Sequence, residues 1–129
     1  MLYFYKAHVE RIVDGDTIDI QLDLGMSIFR RERVRLWGID APEMRTKLGK
    51  EARDYLVNRA NEHGWLVNSL YVRTIKDETD KYGRYLAILY EQPTDINVDI
   101  EALIHAKSLD RGSVNWQIVE AGHAKERYW

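Results

Sequence analysis

The sequence predicts a mainly β protein with helices (α+β), a five-stranded barrel carrying two to three helices, and three observations lead there. Apolar and polar side chains alternate over several short stretches, the pattern of half-buried strands. Turn residues, chiefly Gly and Asp, separate those stretches. One longer stretch changes to helical periodicity and stops at a glycine.

Tyr5 to Val13 alternates loosely, with Ala7 and Val9 set against His8 and Glu10. Asp14-Gly15-Asp16 reads as a tight turn, because Gly tolerates positive φ and Asp hydrogen-bonds the local backbone. Thr17 to Leu24 alternates cleanly: Ile18, Ile20, Leu22 and Leu24 point one way, Asp19, Gln21 and Asp23 the other. Gly25 closes that strand, and Ser27 to Leu36 forms the next, which Pro42 brings to an end. Lys50 to His63 reads as helix, with Ala52, Tyr55, Leu56 and Ala60 on one face and Gly64 as its stop. Trp65 to Thr74 and Tyr85 to Tyr90 return to strand pattern on either side of a Lys81-Tyr82-Gly83 turn. A meander of about five short strands, with a helix after the third, fits a small closed barrel of the OB type.

The remainder is harder to read. Pro93-Thr94-Asp95 opens a loop, and Asp99 to Ser108 forms a short helix with Ile100, Leu103 and Ile104 inward. Val114 to Ala121 is a clearer helix, ended by Gly122 in the place a left-handed cap needs.

A chain of 129 residues fits one domain, residues 1–129. Its hydrophobic and charged fractions, 45% and 31%, are ordinary for a globular chain. The formal charge of −2 provides no global field toward polyanions, so any contact with nucleic acid must come from a local patch. The absence of cysteine excludes disulfides, thiolate zinc sites and a cysteine nucleophile. The opening Met1-Leu2-Tyr3-Phe4-Tyr5-Lys6 lacks a basic n-region and runs straight into strand alternation, so a cytoplasmic location is expected, or a secreted one if a leader has been trimmed away. No stretch approaches the length that crosses a bilayer, so no membrane partner is expected.

Chemistry concentrates in three segments. Asp14-Gly15-Asp16-Thr17 and Arg35-Leu36-Trp37-Gly38-Ile39-Asp40-Ala41-Pro42-Glu43 supply carboxylates and an arginine at what read as adjacent strand ends. If those strands pair antiparallel, Asp16 and Asp40 converge, and with the Ala41 carbonyl they can hold a calcium ion, which takes oxygen ligands in flexible geometry. Taken singly, each aspartate serves equally well as a turn cap. An EF-hand is excluded, because Ile18 occupies a position that needs an oxygen ligand. Arg31, Arg33 and Arg35 share a strand face; Arg31 and Arg33 read as solvated surface balanced by Glu32, whereas Arg35 lies close to Asp40 in sequence. The third segment, Asp80-Lys81-Tyr82-Gly83-Arg84, offers Arg84 at a strand start, where a guanidinium can be held rigidly and grip two phosphate oxygens. His8, His63, His105 and His123 show no ligand spacing and read as surface or packing residues. Trp37 and Trp65 read as core, Trp116 and Trp129 as covers for the helices.

These segments, followed by Val114-Asn115 and Gly122-His123-Ala124-Lys125, occur in the order seen in the staphylococcal nuclease (thermonuclease) family, which the chain resembles over residues 7–91 and 114–128. The resemblance implies an OB barrel with three helices and a calcium-dependent nuclease cleaving DNA or RNA, single-stranded substrate favoured, to leave 3′-phosphate ends. It implies a Ca2+ site of Asp16, Asp40 and the backbone oxygen of Ala41, an acidic residue at the attacking water in Glu43, and phosphate-gripping arginines in Arg35 and Arg84. Lys81, Tyr82 and Tyr128 correspond to positions that contact a neighbouring phosphate or the base.

The connection around residues 92–113 is longer than the family's short loop and is expected to be an atypical insertion. The chain stops at Trp129, before the family's long C-terminal helix. A monomer without an evident protein partner is expected. The alternative reading is a non-catalytic OB-fold module that binds single strands or serves as a scaffold. Such a module has no need to keep Asp16, Arg35, Asp40, Glu43 and Arg84 together.

Overall fold

The computed structural model describes residues 3–67, 70–76, 85–92 and 99–128, the side chains of Tyr3, Lys76 and Ile100 excepted. Strands β1 (Tyr3–Asp14), β2 (Thr17–Asp23), β3 (Phe29–Leu36), β5 (Leu70–Lys76) and β6 (Tyr85–Tyr90) close into a barrel in the order β1-β2-β3-β6-β5. β1 pairs with β2 and β5, β2 with β3, and β5 with β6, all antiparallel; β3 and β6 close the ring in parallel. A two-stranded ribbon, β4 (Ile39–Asp40) with β7 (Lys125–Glu126), stands beside the barrel. Helices α1 (Lys47–His63), α2 (Ile100–Ala106) and α3 (Val114–Glu120) complete the described fold. None of the described helices is long and apolar enough to cross a membrane.

Alternation places Ile18, Ile20 and Leu22 of β2 inside the barrel with Ala7, Val9, Val34, Leu36, Leu70 and Val72. β6 departs from alternation: Ala87, Ile88, Leu89 and Tyr90 are all buried, because α3 covers its outer face. Two irregularities in the β1–β2 ladder, at Val9/Arg11 and Ile12/Asp14, bend β1 before its turn.

Several boundaries shift from the sequence reading. Leu24 is exposed rather than inward, because β2 stops at Asp23 and a tight loop takes over. Met26 and Ser27 adopt φ of 55° and 63°, so β3 begins at Phe29 rather than Ser27. The loop is held by Leu24 N–H to Ile28 O (2.9 Å) and Ile28 N–H to Gly25 O (3.0 Å). α1 begins at Lys47, capped by Thr46, whose Oγ1 accepts from Gly49 N–H at 3.0 Å. Gly64 ends it in the left-handed region (φ 69°), and the chain then makes a single 3₁₀ turn, Trp65–Val67, before β5 starts at Leu70. α2 points Leu103 inward and leaves Ile104 exposed.

Glu91 anchors the end of α1. It is paired with the Arg59 guanidinium, accepts from Trp65 Nε1 at 2.9 Å and lies 3.3 Å from His63 Nδ1. Downstream of α2 the connection returns to the barrel: Leu109 is buried against Gly38, and the Asp110 carboxylate accepts from the Tyr90 hydroxyl at 2.8 Å.

Asn115 of α3 joins the remaining pieces. Fully buried, its Nδ2 donates to Trp37 O (2.8 Å) and Ala87 O (3.0 Å), while Oδ1 accepts from Leu89 N–H at 3.1 Å. Asn115→Ala strands those groups without water. It is expected to cost about 3 kcal/mol or more of unfolding free energy, read from urea melts.

Candidate functional site

The β1–β2 turn and the segment leaving β3 meet at one end of the barrel. Thr17 of β2 is the cross-strand partner of Arg35 of β3, so the head of one strand faces the tail of the other. Leu36 N–H donates to Asp16 O at 2.7 Å, and Ala41 N–H donates to Asp16 Oδ2 at 3.0 Å. The antiparallel pairing thus brings the Asp16 carboxylate against the Asp40–Ala41 peptide.

Two glycines allow this approach. A Cβ on Gly15 would come within 2.7 and 2.8 Å of the Cβ atoms of Ala41 and Ala52, so the turn nests between the segment and α1. A Cβ on Gly49 would stand 1.9 Å from Glu43 O, so only glycine lets the first turn of α1 lie against the Glu43 backbone. Thr46 adds its own ties: N–H and Oγ1 both donate to Glu43 O, at 3.0 and 2.6 Å.

Asp16 is 8% exposed and its Oδ1 accepts from the Thr17 hydroxyl at 3.1 Å. Burial, and next the hydrogen-bonding Asp14 carboxyl beside it, push the Asp16 carboxyl up to about 7, against the Ala41 N–H and the Arg35 charge, which pull it down. Asp40 lies between two guanidinium groups. Arg35 Nη2 is 3.5 Å from Asp40 Oδ1, and Arg127 Nη1 donates to Asp40 Oδ2 at 3.0 Å. Arg35 therefore faces both aspartates.

The remaining residues singled out in the sequence take different positions. The Glu43 carboxylate is exposed and lies 2.5 Å from Arg45 Nε. The Tyr128 ring packs on Trp37, centroids 5.3 Å apart, and its hydroxyl donates to Glu126 Oε1 at 2.8 Å; burial and that bond push the phenol upward. Lys81, Tyr82 and Arg84 lie outside the described residues. Arg33 and Arg31 are exposed, as solvated surface should be, but they pair with Asp19 and Glu10, while Glu32, expected to balance them, pairs with Arg30. The sequence reading did not single out Asp14 and Arg127 as site residues. Asp14 was visible in its own Asp-Gly-Asp motif, whereas Arg127 meets Asp40 across 87 positions and carries no local signal.

Asp16, Asp40 and the Ala41 carbonyl are hard oxygens, the donor type calcium takes. Among the described residues no three His, Cys, Asp or Glu side chains cluster as a metal cage, so a cation here would draw on the carbonyl and on water. The crowding of Asp14 against buried Asp16 is excess negative charge that a cation would relieve, so the residues present fit such an ion.

Comparison with known proteins bears on the same segments. Residues 33–128 match the model of the staphylococcal nuclease homologue family. Protein ParB of Escherichia coli is 34% identical over 109 residues, covering 78% of this chain and 53% of that protein. Micrococcal nuclease of Shigella flexneri is 36% identical over 86 residues, 67% of this chain and 42% of its own length. An uncharacterized endonuclease of Haemophilus influenzae is 34% identical over 94 residues, 73% and 47% respectively. The chain spans about half the length of these curated relatives. With the family model running from β3 through the site segment to Tyr128, on a closed five-stranded barrel, the chain belongs to the staphylococcal nuclease homologue family.

Proposed function

We propose that this chain is a nuclease: it hydrolyses phosphodiester bonds of DNA or RNA, single-stranded substrate favoured, with Ca2+ as cofactor. One observation carries the reading: the Asp16 carboxylate sits against the Asp40–Ala41 peptide, with the Arg35 guanidinium facing both aspartates. The names of the relatives, micrococcal nuclease and endonuclease, support the same reaction class.

Asp16, Asp40 and the Ala41 carbonyl would hold the cation, which when bound supplies Lewis acidity and lowers the pKa of water. Glu43 takes or orients the proton of the attacking water, exchanging its surface partner Arg45 for that water. Attack is in line with the departing 5′ oxygen, leaving a 3′-phosphate. Arg35, mostly buried and fixed by its strand, donates to the phosphoryl oxygens where negative charge accumulates. Arg84 is assigned the same role from the sequence pattern alone, and Lys81, Tyr82 and Tyr128 contact the adjoining phosphate or base. Preorganised donors of this kind cost little reorganisation, which is why their removal falls on rate.

The decisive measurement is incubation of the protein with single-stranded DNA in calcium and then in EDTA. Cleavage is expected only with calcium, and Glu43→Ala should lower it about a hundredfold. DNA retained but uncut with every divalent cation identifies a binding module instead. Arg84→Lys keeps the charge but loses the fork, so a drop of at least about tenfold is expected; near-full activity in both Arg84→Lys and Arg84→Ala removes Arg84 from the mechanism.

The raised Asp16 pKa gives a pH dependence with a defined sign. The ion needs the carboxylate, so calcium affinity should fall about tenfold per pH unit below about 7 and level off above it. In calcium-free protein the neutral form suits the fold. Its stabilisation is full below the ordinary carboxylate value of 3.8 and is lost as pH rises to about 7. Asp16→Asn should therefore melt no lower than wild type at pH 8 without calcium, and gain nothing when calcium is added.

A further inference from the structure

Asp40 has more positive charge on it than a cation ligand needs. Arg35 approaches one carboxylate oxygen and Arg127 the other, at 3.5 and 3.0 Å. The two arginines arrive by separate routes. Arg35 projects from β3, whereas Arg127 follows β7, whose pairing with β4 sets Lys125 opposite Asp40 and Glu126 opposite Ile39. Arg127 N–H donates to Gly38 O at 2.9 Å, so its backbone stays in place whatever its side chain does. That side chain is about half exposed at 53%, against 20% for Arg35.

We propose that Arg127 is a phosphate-binding guanidinium kept in reserve on Asp40 and released to a polynucleotide phosphate once Asp40 ligates the cation. The inference rests on the reading of this site as a cation-dependent nuclease. Asp40 cannot satisfy a divalent ion and both guanidinium groups equally, since each of its oxygens already faces a guanidinium and the positive charges repel one another. Arg35, mostly buried, stays at the site, while Arg127 is the partner whose side chain is the more open to solvent and so to an arriving strand. The anion that then arrives is a phosphodiester, and the planar guanidinium fork matches it well. Arg127 thereby neutralises the cation seat while it is empty and contributes to strand binding when it is filled.

The test separates two equilibria in Arg127→Gln. The first is calcium binding, measured by isothermal titration without nucleic acid. Losing a nearby positive charge should tighten it about threefold or more. The second is anisotropy of a labelled oligothymidylate, measured in a Glu43→Gln background to prevent turnover. In saturating calcium the affinity should fall about fivefold, and the slope of log K against log salt should shrink by about 0.7, one phosphate contact on a single strand. In EDTA the same variant should bind the oligonucleotide nearly as the Arg127 protein does, and Arg127→Lys should recover part of the calcium-dependent affinity.

A merely structural tie between β7 and β4 would weaken calcium and oligonucleotide binding together and lower the melting temperature; that outcome overturns the proposal. An unchanged salt slope in calcium overturns it as well. If the Arg127 protein itself binds neither calcium nor the oligonucleotide, the nuclease reading falls and this inference falls with it. Normal binding of both by that protein, without the opposed shifts in the variant, removes only the role of Arg127.

Discussion

The Asn115 carboxamide is the constraint on which the rest of this fold depends. Its three hydrogen bonds reach the Trp37 carbonyl, where β3 leaves the barrel, and two backbone groups of β6. Trp37 N–H in turn donates to Ala87 O at 2.9 Å. The parallel β3–β6 contact covers only Val34 to Leu36, a short seam for closing a barrel. A buried amide that satisfies groups on both sides of the seam stabilises what so few ladder bonds would hold weakly. It also leaves no buried polar atom of its own without a partner. Because the seam fixes where Leu36 ends, it fixes where Arg35 and the Asp40 segment begin.

Electrostatics at the site follow from that placement. Asp14 lies beside Asp16, the Asp16 carboxylate meets the Asp40–Ala41 peptide, and Arg35 and Arg127 pair with Asp40. The balance is incomplete at Asp16, where burial and Asp14 outweigh Arg35, and fuller at Asp40, which carries two guanidinium partners. An additional positive charge would relieve Asp16, whereas at Asp40 it would compete with the guanidinium groups already there. Surface pairs such as Arg33–Asp19 have no comparable role, because solvent screens them.

Much of this was legible in the sequence, and the gaps have physical causes. The alternation of Ile18, Ile20 and Leu22 identified β2 because one face of that strand is buried and the other is not. The same rule misassigned Leu24, since alternation cannot say where a ladder stops and a left-handed loop begins. Trp65 to Val67 has the composition of a strand, yet the Gly64 cap sends the chain through a 3₁₀ turn first. Asp16, Asp40 and Arg35 stood out because their segments carry turn chemistry at strand ends, and pairing brought those ends together. Asn115 was visible only as part of a motif, because its partners lie 26, 28 and 78 residues away. Arg127 was illegible for the same reason: contacts made across a whole chain leave no period in it.

Gly49 has a wider bearing than its size suggests. With no side chain, it lets the start of α1 rest directly on the carbonyl of Glu43, and Thr46 bonds that carbonyl from the side. The loop bearing Asp40 to Glu43 is therefore braced by a helix whose far end is anchored by Glu91 at the opposite extreme of the same rod. Fraying at either end of that rod would slacken the acidic loop, so the placement of its carboxylates is set in part by residues remote from it.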